Sequence, residues 1–316
     1  MNPRRVRGSI VTLLWLGMAV EWPPSQGLVN KPPQPGDLPE QDFEKLRKAA
    51  DGGEAEAQFL VGKAYWYGTG VEADRGTAVE YYRKAAEKNH ANALAGLGAA
   101  YGLGQGVEKR DETLAADYFR RAAELGSAVG QMNLGMMLIA GKTLPKDAKE
   151  GVEWIRKAAD QGLLKAELYL GEMYLAGESA VSRDYAEARK WVRKAADQED
   201  ARALNLYGVI LRDGLGGERD PAGAVPYFRR AADQGFVKGF LNLGSAYFFG
   251  NGVEMDKITG MSWWFAGEEL GDGACRETAA KLVGGTKPEE VAKARQLGKE
   301  MAREKLPAVL KAGLQR

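Results

Sequence analysis

The sequence predicts an all-α protein, an α-solenoid of helix-turn-helix repeats. Ala-Ala pairs that follow a basic residue recur every 36 or 37 residues, and a glycine recurs between them with the same period. Each period also contains two helical patterns separated by a glycine-containing turn. A fixed period of this length is typical of a solenoid, in which each unit buries its apolar face by stacking on its neighbours.

The amino-terminal part of the chain differs from the repeats. Arg4, Arg5 and Arg7 precede an apolar run of 11 residues at 10–20, which is typical of a secretory signal and short for a bilayer span. We therefore expect residues 1–21 to be a signal peptide or signal anchor. Residues 22–39 contain six of the twelve prolines and are predicted to be a Pro-rich linker. The prediction is export to the periplasm or medium, with anchoring by an uncleaved segment as the alternative.

The first helix of each repeat carries small or apolar residues along one side and a glycine near its middle. These glycines are Gly62, Gly98, Gly135, Gly171, Gly208 and Gly244. Glycine inside a helix costs about 1 kcal/mol relative to alanine. Its recurrence therefore predicts a position where another backbone approaches closely, a packing site rather than a catalytic one.

The turn and the second helix follow a common pattern. Glycine ends each first helix, at Gly68, Gly104, Gly141, Gly177, Gly214 and Gly250, where it supplies the left-handed conformation. An aspartate then begins each second helix as its predicted N-cap, at Asp74, Asp111, Asp147, Asp184, Asp220 and Asp256. An aromatic-apolar pair such as Tyr118-Phe119 comes next, and we interpret these pairs as filling the space between helices.

These motifs resemble the Sel-one-like repeat, a relative of the tetratricopeptide repeat. The second unit carries the pattern nearly completely, from Ala91 and Gly98 through Asp111 to Ala122-Ala123. The resemblance implies a right-handed superhelix, with six repeats over residues 55–271. It also implies an amino-terminal capping helix within 40–54 and carboxy-terminal capping helices within 272–316, as in bacterial members. Some secreted relatives with one disulfide per repeat are linked to penicillin binding or hydrolysis, but this chain lacks those cysteines.

Composition excludes several functions. The 44 basic and 43 acidic residues give a net charge of +1, so no basic stripe for nucleic acid is expected. With one histidine, His90, and one cysteine, Cys275, we predict no metal site of the His-rich or thiolate type, no cofactor and no catalytic residue. The alternatives to a non-catalytic adaptor are a cell-wall-associated hydrolase, a β-lactam-binding protein, and a cytoplasmic or membrane-tethered regulatory scaffold. The motif S-x-x-K of serine β-lactam enzymes is absent from the sequence.

A partner-binding groove is predicted on the face of the first helices opposite their packing band, which the resemblance places on the concave surface. Its candidate residues are Lys63, Tyr67, Asn133, Met136, Lys165, Tyr169, Glu172, Arg202, Asp213, Asn242, Ser245 and Phe249. This mixture of aromatic, amide and charged groups favours a protein or extended peptide over a polyanion. Asparagine in particular could clamp a peptide backbone with one donor and one acceptor. A monomer is expected because both ends of the array are capped.

Overall fold

A computed structural model describes residues 40–313 of the chain, and the side chains of residues 42–307. Within these residues the protein consists of fifteen α-helices and one short 3-10 helix, Val283–Gly285, with no β-strand, which confirms the all-α class. The predicted signal segment at 1–21 and the linker at 22–39 lie outside the described residues.

In chain order the helices are α1 Glu40–Asp51, α2 Ala55–Tyr67, α3 Arg75–Ala86, α4 Ala91–Leu103, α5 Glu112–Glu124, α6 Ala128–Ala140, α7 Ala148–Asp160, α8 Leu164–Ala176, α9 Tyr185–Asp197, α10 Ala201–Asp213, α11 Pro221–Asp233, α12 Val237–Phe249, α13 Lys257–Glu269, α14 Gly273–Leu282 and α15 Pro288–Gly313.

The even-numbered helices α2 to α12 are the first helices of the repeats, and the odd-numbered helices α3 to α13 are the second helices. A first helix packs on the second helix of its own repeat, as α4 does on α5. Second helices also pack on the first helix of the next repeat, as α5 does on α6 and α11 does on α12. Apolar surface left by one repeat is therefore covered by the next, which is the principle of a solenoid.

The predicted helix ends are confirmed. All six turn glycines have φ between 65° and 74°, the left-handed region that glycine adopts without strain. All six aspartates accept a hydrogen bond from a backbone N–H in the first turn of the second helix, such as the 2.9 Å bond from Leu114 N to Asp111. The repeat boundaries are therefore set by local interactions that each unit contains.

The mid-helix glycines mark close packing between the two helices of a repeat. A Cβ built on Gly98 would lie 2.8 Å from the ring of Phe119, and one on Gly135 would lie 2.5 Å from the carbonyl oxygen of Gly151. Both distances are below 3.0 Å, so a Cβ at either position would force a neighbouring group to move. The prediction of a close backbone holds at Gly135, whereas at Gly98 the neighbour is the second aromatic of the pair.

The chain divides into two compact units, each of which is built from the same repeats. Among the described residues, one unit holds 40–166 together with Ser179–Val181, and the other holds Glu167–Glu178 and 182–313. Within the second unit α15 packs along α13. A hydrogen bond of 2.8 Å from Lys305 to Asp233 joins α15 to α11. None of the helices in the described part of the chain is long and apolar enough to cross a membrane.

Candidate functional site

The twelve predicted groove residues all lie on first helices, and most of them are partly covered. Nine are half-buried, while Arg202, Asp213 and Phe249 are exposed. Because these side chains are partly buried, neighbouring helices already cover part of their surface. The position of each residue within its own unit therefore decides what it can offer a ligand.

In the first unit the candidates are spread over α2, α6 and the start of α8. Lys63 is half-buried on α2, and burial lowers the pKa of its ammonium group while the charge of Glu56 acts in the opposite direction. Tyr67 and Met136 are half-buried, as is Lys165. Asn133, also half-buried, donates from Nδ2 to the carbonyl oxygen of Val129, one turn earlier in α6, at 2.8 Å, so its own helix uses one of its two donors. These side chains offer scattered contacts along the first-helix face.

The second unit brings predicted residues from adjacent first helices together. Arg202 on α10 donates a hydrogen bond of 2.5 Å to Glu172 on α8, and Tyr169 lies one turn before Glu172. Burial raises the pKa of Glu172, while the charges of Arg202 and Lys238 act in the opposite direction. Burial, aided by the charge of Glu172, raises the pKa of Tyr169. We call Tyr169, Glu172, Arg202 and Lys238 the mixed-charge cluster.

A second polar network joins α10 to α12. Asn242 Nδ2 donates to Asn205 Oδ1 at 2.8 Å, and Asn242 Oδ1 accepts from Arg212 at 3.0 Å. Arg212 also forms a two-bond ion pair with Asp213, at 2.7 and 2.9 Å. Ser245 donates to the carbonyl oxygen of Leu241 at 2.8 Å. Asn205 and Arg212 thus occupy one of the two donors of the Asn242 amide and one acceptor position of its oxygen.

A cleft of about 460 Å³ opens beside this network. Arg212, Asn242, Ser245, Phe249, Pro221 and Asn251 contribute to its lining. The cleft therefore collects three of the predicted residues from α12, together with groups from α10, α11 and the turn after α12. Its volume lies within the range of pockets that bind small ligands.

Three residues of the observed polar networks were not among the predicted groove residues. They are Arg212, Asn205 and Lys238. A usable signal exists for Arg212, because the same position holds Trp66 in the first repeat and Phe248 in the sixth. A charged residue at a position that is otherwise mostly apolar indicates a local change in packing.

His90 is a structural residue. Its Nδ1 accepts from the backbone N–H of Ala93 at 3.2 Å, which caps α4, and its Nε2 lies 2.9 Å from Glu56. The imidazole ring also stacks on Phe59, with centroids 4.8 Å apart. Every polar atom of the ring is thus engaged in holding the start of a repeat.

The side chains of residues 42–307 contain no group of three or more His, Cys, Asp or Glu residues that could hold a metal ion. Cys275 is fully buried, and burial together with the charge of Asp272 raises the pKa of its thiol, which disfavours the reactive thiolate. The titratable groups that stand out on geometry and charge are instead those of the mixed-charge cluster.

A model of the Sel1 repeat matches the chain six times, at residues 55–90, 91–127, 128–163, 164–200, 201–236 and 241–272. The chain belongs to the Sel1 repeat family. The Sel1 repeats account for α2 to α13 and explain the paired-helix architecture. Sel1 repeats are typical of scaffolds for protein interaction, and their solenoid fold is typically non-catalytic.

Solved structures of Sel1 repeat proteins resemble this one. The protective antigen c5321 of uropathogenic Escherichia coli, which displays this fold, is 32% identical with a TM-score of 0.67 over 82% of this chain. The match covers 56% of c5321, so the chain spans little more than half the length of that protein. A Sel1 repeat protein from Oxalobacter formigenes is 27% identical with a TM-score of 0.58, over 72% of this chain and 90% of its own. A comparison with curated protein sequences gave no match.

Proposed function

We propose that this Sel1 repeat protein is an exported, non-catalytic scaffold that holds a protein or peptide partner against the face of its first helices. The mixed-charge cluster is the observation that carries this proposal. It places an aromatic ring, a carboxylate and two cations on three first helices, α8, α10 and α12. Such a surface offers stacking, charge pairing and hydrogen bonding to an extended chain.

The state of Glu172 supports a recognition role for this face. Its carboxylate is partly desolvated, and side-chain exposure is 18%, whereas the side chain of its partner Arg202 is 45% exposed. Lys238 is exposed and adds a positive charge beside the pair. A partner that presents both an acceptor and an apolar side chain can thus pair with Arg202 or Lys238 and lie on Tyr169.

The test is affinity capture with cross-linking from the native host, with wild-type protein and a variant carrying Tyr169→Ala and Lys238→Glu. We expect one partner protein to be lost from the variant, because the substitutions remove an apolar contact and reverse a charge. The matched control carries Arg193→Ala and Asp197→Ala, which remove an exposed ion pair from the second helix α9 of the same unit. Circular dichroism confirms that both variants are folded. Equal capture by all three proteins would contradict binding on the first-helix face.

Export is the second part of the proposal, and it rests on the basic residues and apolar run before residue 21. The measurement is amino-terminal sequencing of the protein from a bacterial host, with fractionation of the periplasm. A mature chain that begins after the apolar run supports export. A chain that keeps Met1 or Asn2 supports the anchored or cytoplasmic scaffold instead.

A further inference from the structure

The turn between α12 and α13 carries an exposed apolar pair. Phe249 ends α12 with 58% of its surface exposed, and Met255 precedes the capping Asp256 with 61% exposed. Phe249 directly precedes Gly250 in the chain. Met255 lies against the same glycine, since a Cβ built on Gly250 would lie 3.1 Å from Met255 Cβ. We call Phe249, Met255 and the adjoining cleft the turn edge.

The other repeats serve as an internal comparison for this edge. Four of them place a basic residue directly before the capping aspartate, and the first repeat places Ala73 there. The four basic residues are Arg110, Lys146, Arg183 and Arg219. The sixth repeat replaces this solvated charge with Met255 and adds Phe249 beside it. Phe249 lies edge-to-face on the buried ring of Phe248, with centroids 5.0 Å apart, but more than half of its surface remains exposed beside Met255. The two residues together therefore form a small exposed apolar patch at this turn.

The cleft gives the exposed pair a depth that a flat surface patch lacks. Phe249 and Pro221 form part of its apolar lining, whereas Asn242 and Ser245 present polar atoms already engaged within the unit. A large apolar side chain can therefore enter the cleft without separating the polar groups from their partners. Burial of one such side chain is the main favourable contribution that the cleft can make.

A guanidinium group lies at the rim of the cleft. Arg219 donates a hydrogen bond of 3.0 Å to Asn251, which lines the cleft. In the described part of the chain no carboxylate lies within ion-pair distance of Arg219, whereas Arg212 is paired with Asp213. The guanidinium of Arg219 therefore remains able to pair with an external carboxylate, for which its planar geometry is well suited.

We propose that the turn edge binds a segment of a partner protein in which a large apolar side chain lies next to a carboxylate. The apolar side chain enters the cleft against Phe249 and Pro221, Met255 covers it from beside Gly250, and the carboxylate pairs with Arg219. This inference rests on the proposed scaffold function and adds a second contact region to the mixed-charge cluster. It fixes the chemistry of the recognised segment.

The experiment is selection of a phage-displayed library of random dodecapeptides on the immobilised full chain. We expect enriched peptides to share a Phe, Leu, Met or Trp within two positions of Asp or Glu. A synthetic peptide of the enriched sequence, labelled with a fluorophore, is then titrated with each variant by anisotropy. Met255→Arg, which installs the residue type of the other repeats, and Arg219→Glu should each weaken binding at least tenfold.

Two controls make the result specific. Leu125→Ala removes an exposed apolar side chain of the first unit and should leave the affinity unchanged. A peptide with Lys in place of its acidic residue should bind Arg219→Glu more tightly than wild type. Failure to enrich peptides, enrichment without acidic residues, or equal affinity of wild type and both variants would each overturn the proposal. A wild-type dimer in light scattering that Met255→Arg dissociates would overturn it in favour of a second copy of the chain.

The two proposals fail separately. If partner capture is lost with Tyr169→Ala and Lys238→Glu but survives Met255→Arg, the scaffold proposal holds and the turn edge does not bind the partner. If Met255→Arg abolishes capture while the cluster variant retains it, the turn edge is the binding surface and the mixed-charge cluster is not.

Discussion

Glu172 and Arg202 form an ion pair of 2.5 Å between α8 and α10, in which the carboxylate is largely covered and the guanidinium is exposed. The two residues are thirty positions apart in the sequence. The pair links consecutive first helices through a carboxylate that burial has made harder to ionise. A structural contact and a candidate binding surface thus share the same residues.

The raised pKa of Glu172 predicts a pH dependence. The folded chain holds the proton of Glu172 more tightly than the unfolded chain does, so protonation of Glu172 stabilises the fold. This stabilisation is fully present below the ordinary pKa of 4.5 and is lost as the pH rises through the folded pKa. Relative to Glu172→Gln, which resembles the protonated form, the wild type should become less stable as the pH rises from 4 to 7. Urea unfolding of both proteins across this range measures the difference. A difference that is constant or has the opposite slope would contradict the prediction.

The capping aspartates predict the opposite pH dependence of stability. Hydrogen bonds from the backbone N–H and the hydroxyl group of Thr77 lower the pKa of Asp74. Its contribution is therefore present above the ordinary value of 3.8 and is lost as the pH falls through the folded pKa. The advantage of wild type over Asp74→Asn should shrink between pH 6 and pH 3, as measured by the midpoints of urea unfolding. An advantage that persists at pH 3 would show that the charge of the cap is irrelevant.

Two glycines of α4 predict opposite effects of alanine. A Cβ at position 98 would meet the ring of Phe119 at 2.8 Å, so Gly98→Ala should destabilise by about 1–3 kcal/mol through overpacking. A Cβ at position 102 would lie at an ordinary 3.6 Å from Ala115, so Gly102→Ala should stabilise by up to about 1 kcal/mol through helix propensity. Thermal unfolding of the two variants provides the comparison. Equal shifts would show that contact with the second helix does not set the requirement for glycine.

Gln58 and Gln131 occupy the fourth position of α2 and α6, and replacing each with leucine should lower the free energy of unfolding by different amounts. The side-chain oxygen of Gln58 is buried and has no hydrogen-bond partner among the described residues. Gln131 instead accepts from Gln161 at 2.7 Å and donates to Ala123 at 3.3 Å. Gln58 also donates from Nε2 to the carbonyl oxygen of Ala50 at 3.1 Å, so the two side chains differ only in whether the oxygen has a partner. Gln58→Leu should therefore cost about 1 kcal/mol less than Gln131→Leu. Calorimetric midpoints of the two variants decide the point, and a larger loss for Gln58→Leu would contradict it.

Sequence reasoning predicted the helices of the repeats well because their boundaries are local. The turn after Leu103 depends on Gly104, and the next helix begins at the capping Asp111, so both ends follow from neighbouring residues. The site was predicted less well because its contacts join the first helices of neighbouring repeats. Whether Asn242 faces a ligand or Asn205 depends on how far one first helix is offset from the next, and the period of the sequence does not specify that offset.

The sequence by itself determined the family, the six paired helices and the identity of the packing glycines, because capping and hydrophobic periodicity act within a few residues. The tertiary structure decided which charges pair, as with Glu172 and Arg202, and where a cleft opens beside Phe249. These features arise between side chains about 30 to 37 residues apart. Their contacts depend on side-chain volumes and rotamers at each junction between repeats, which differ even though the period is the same.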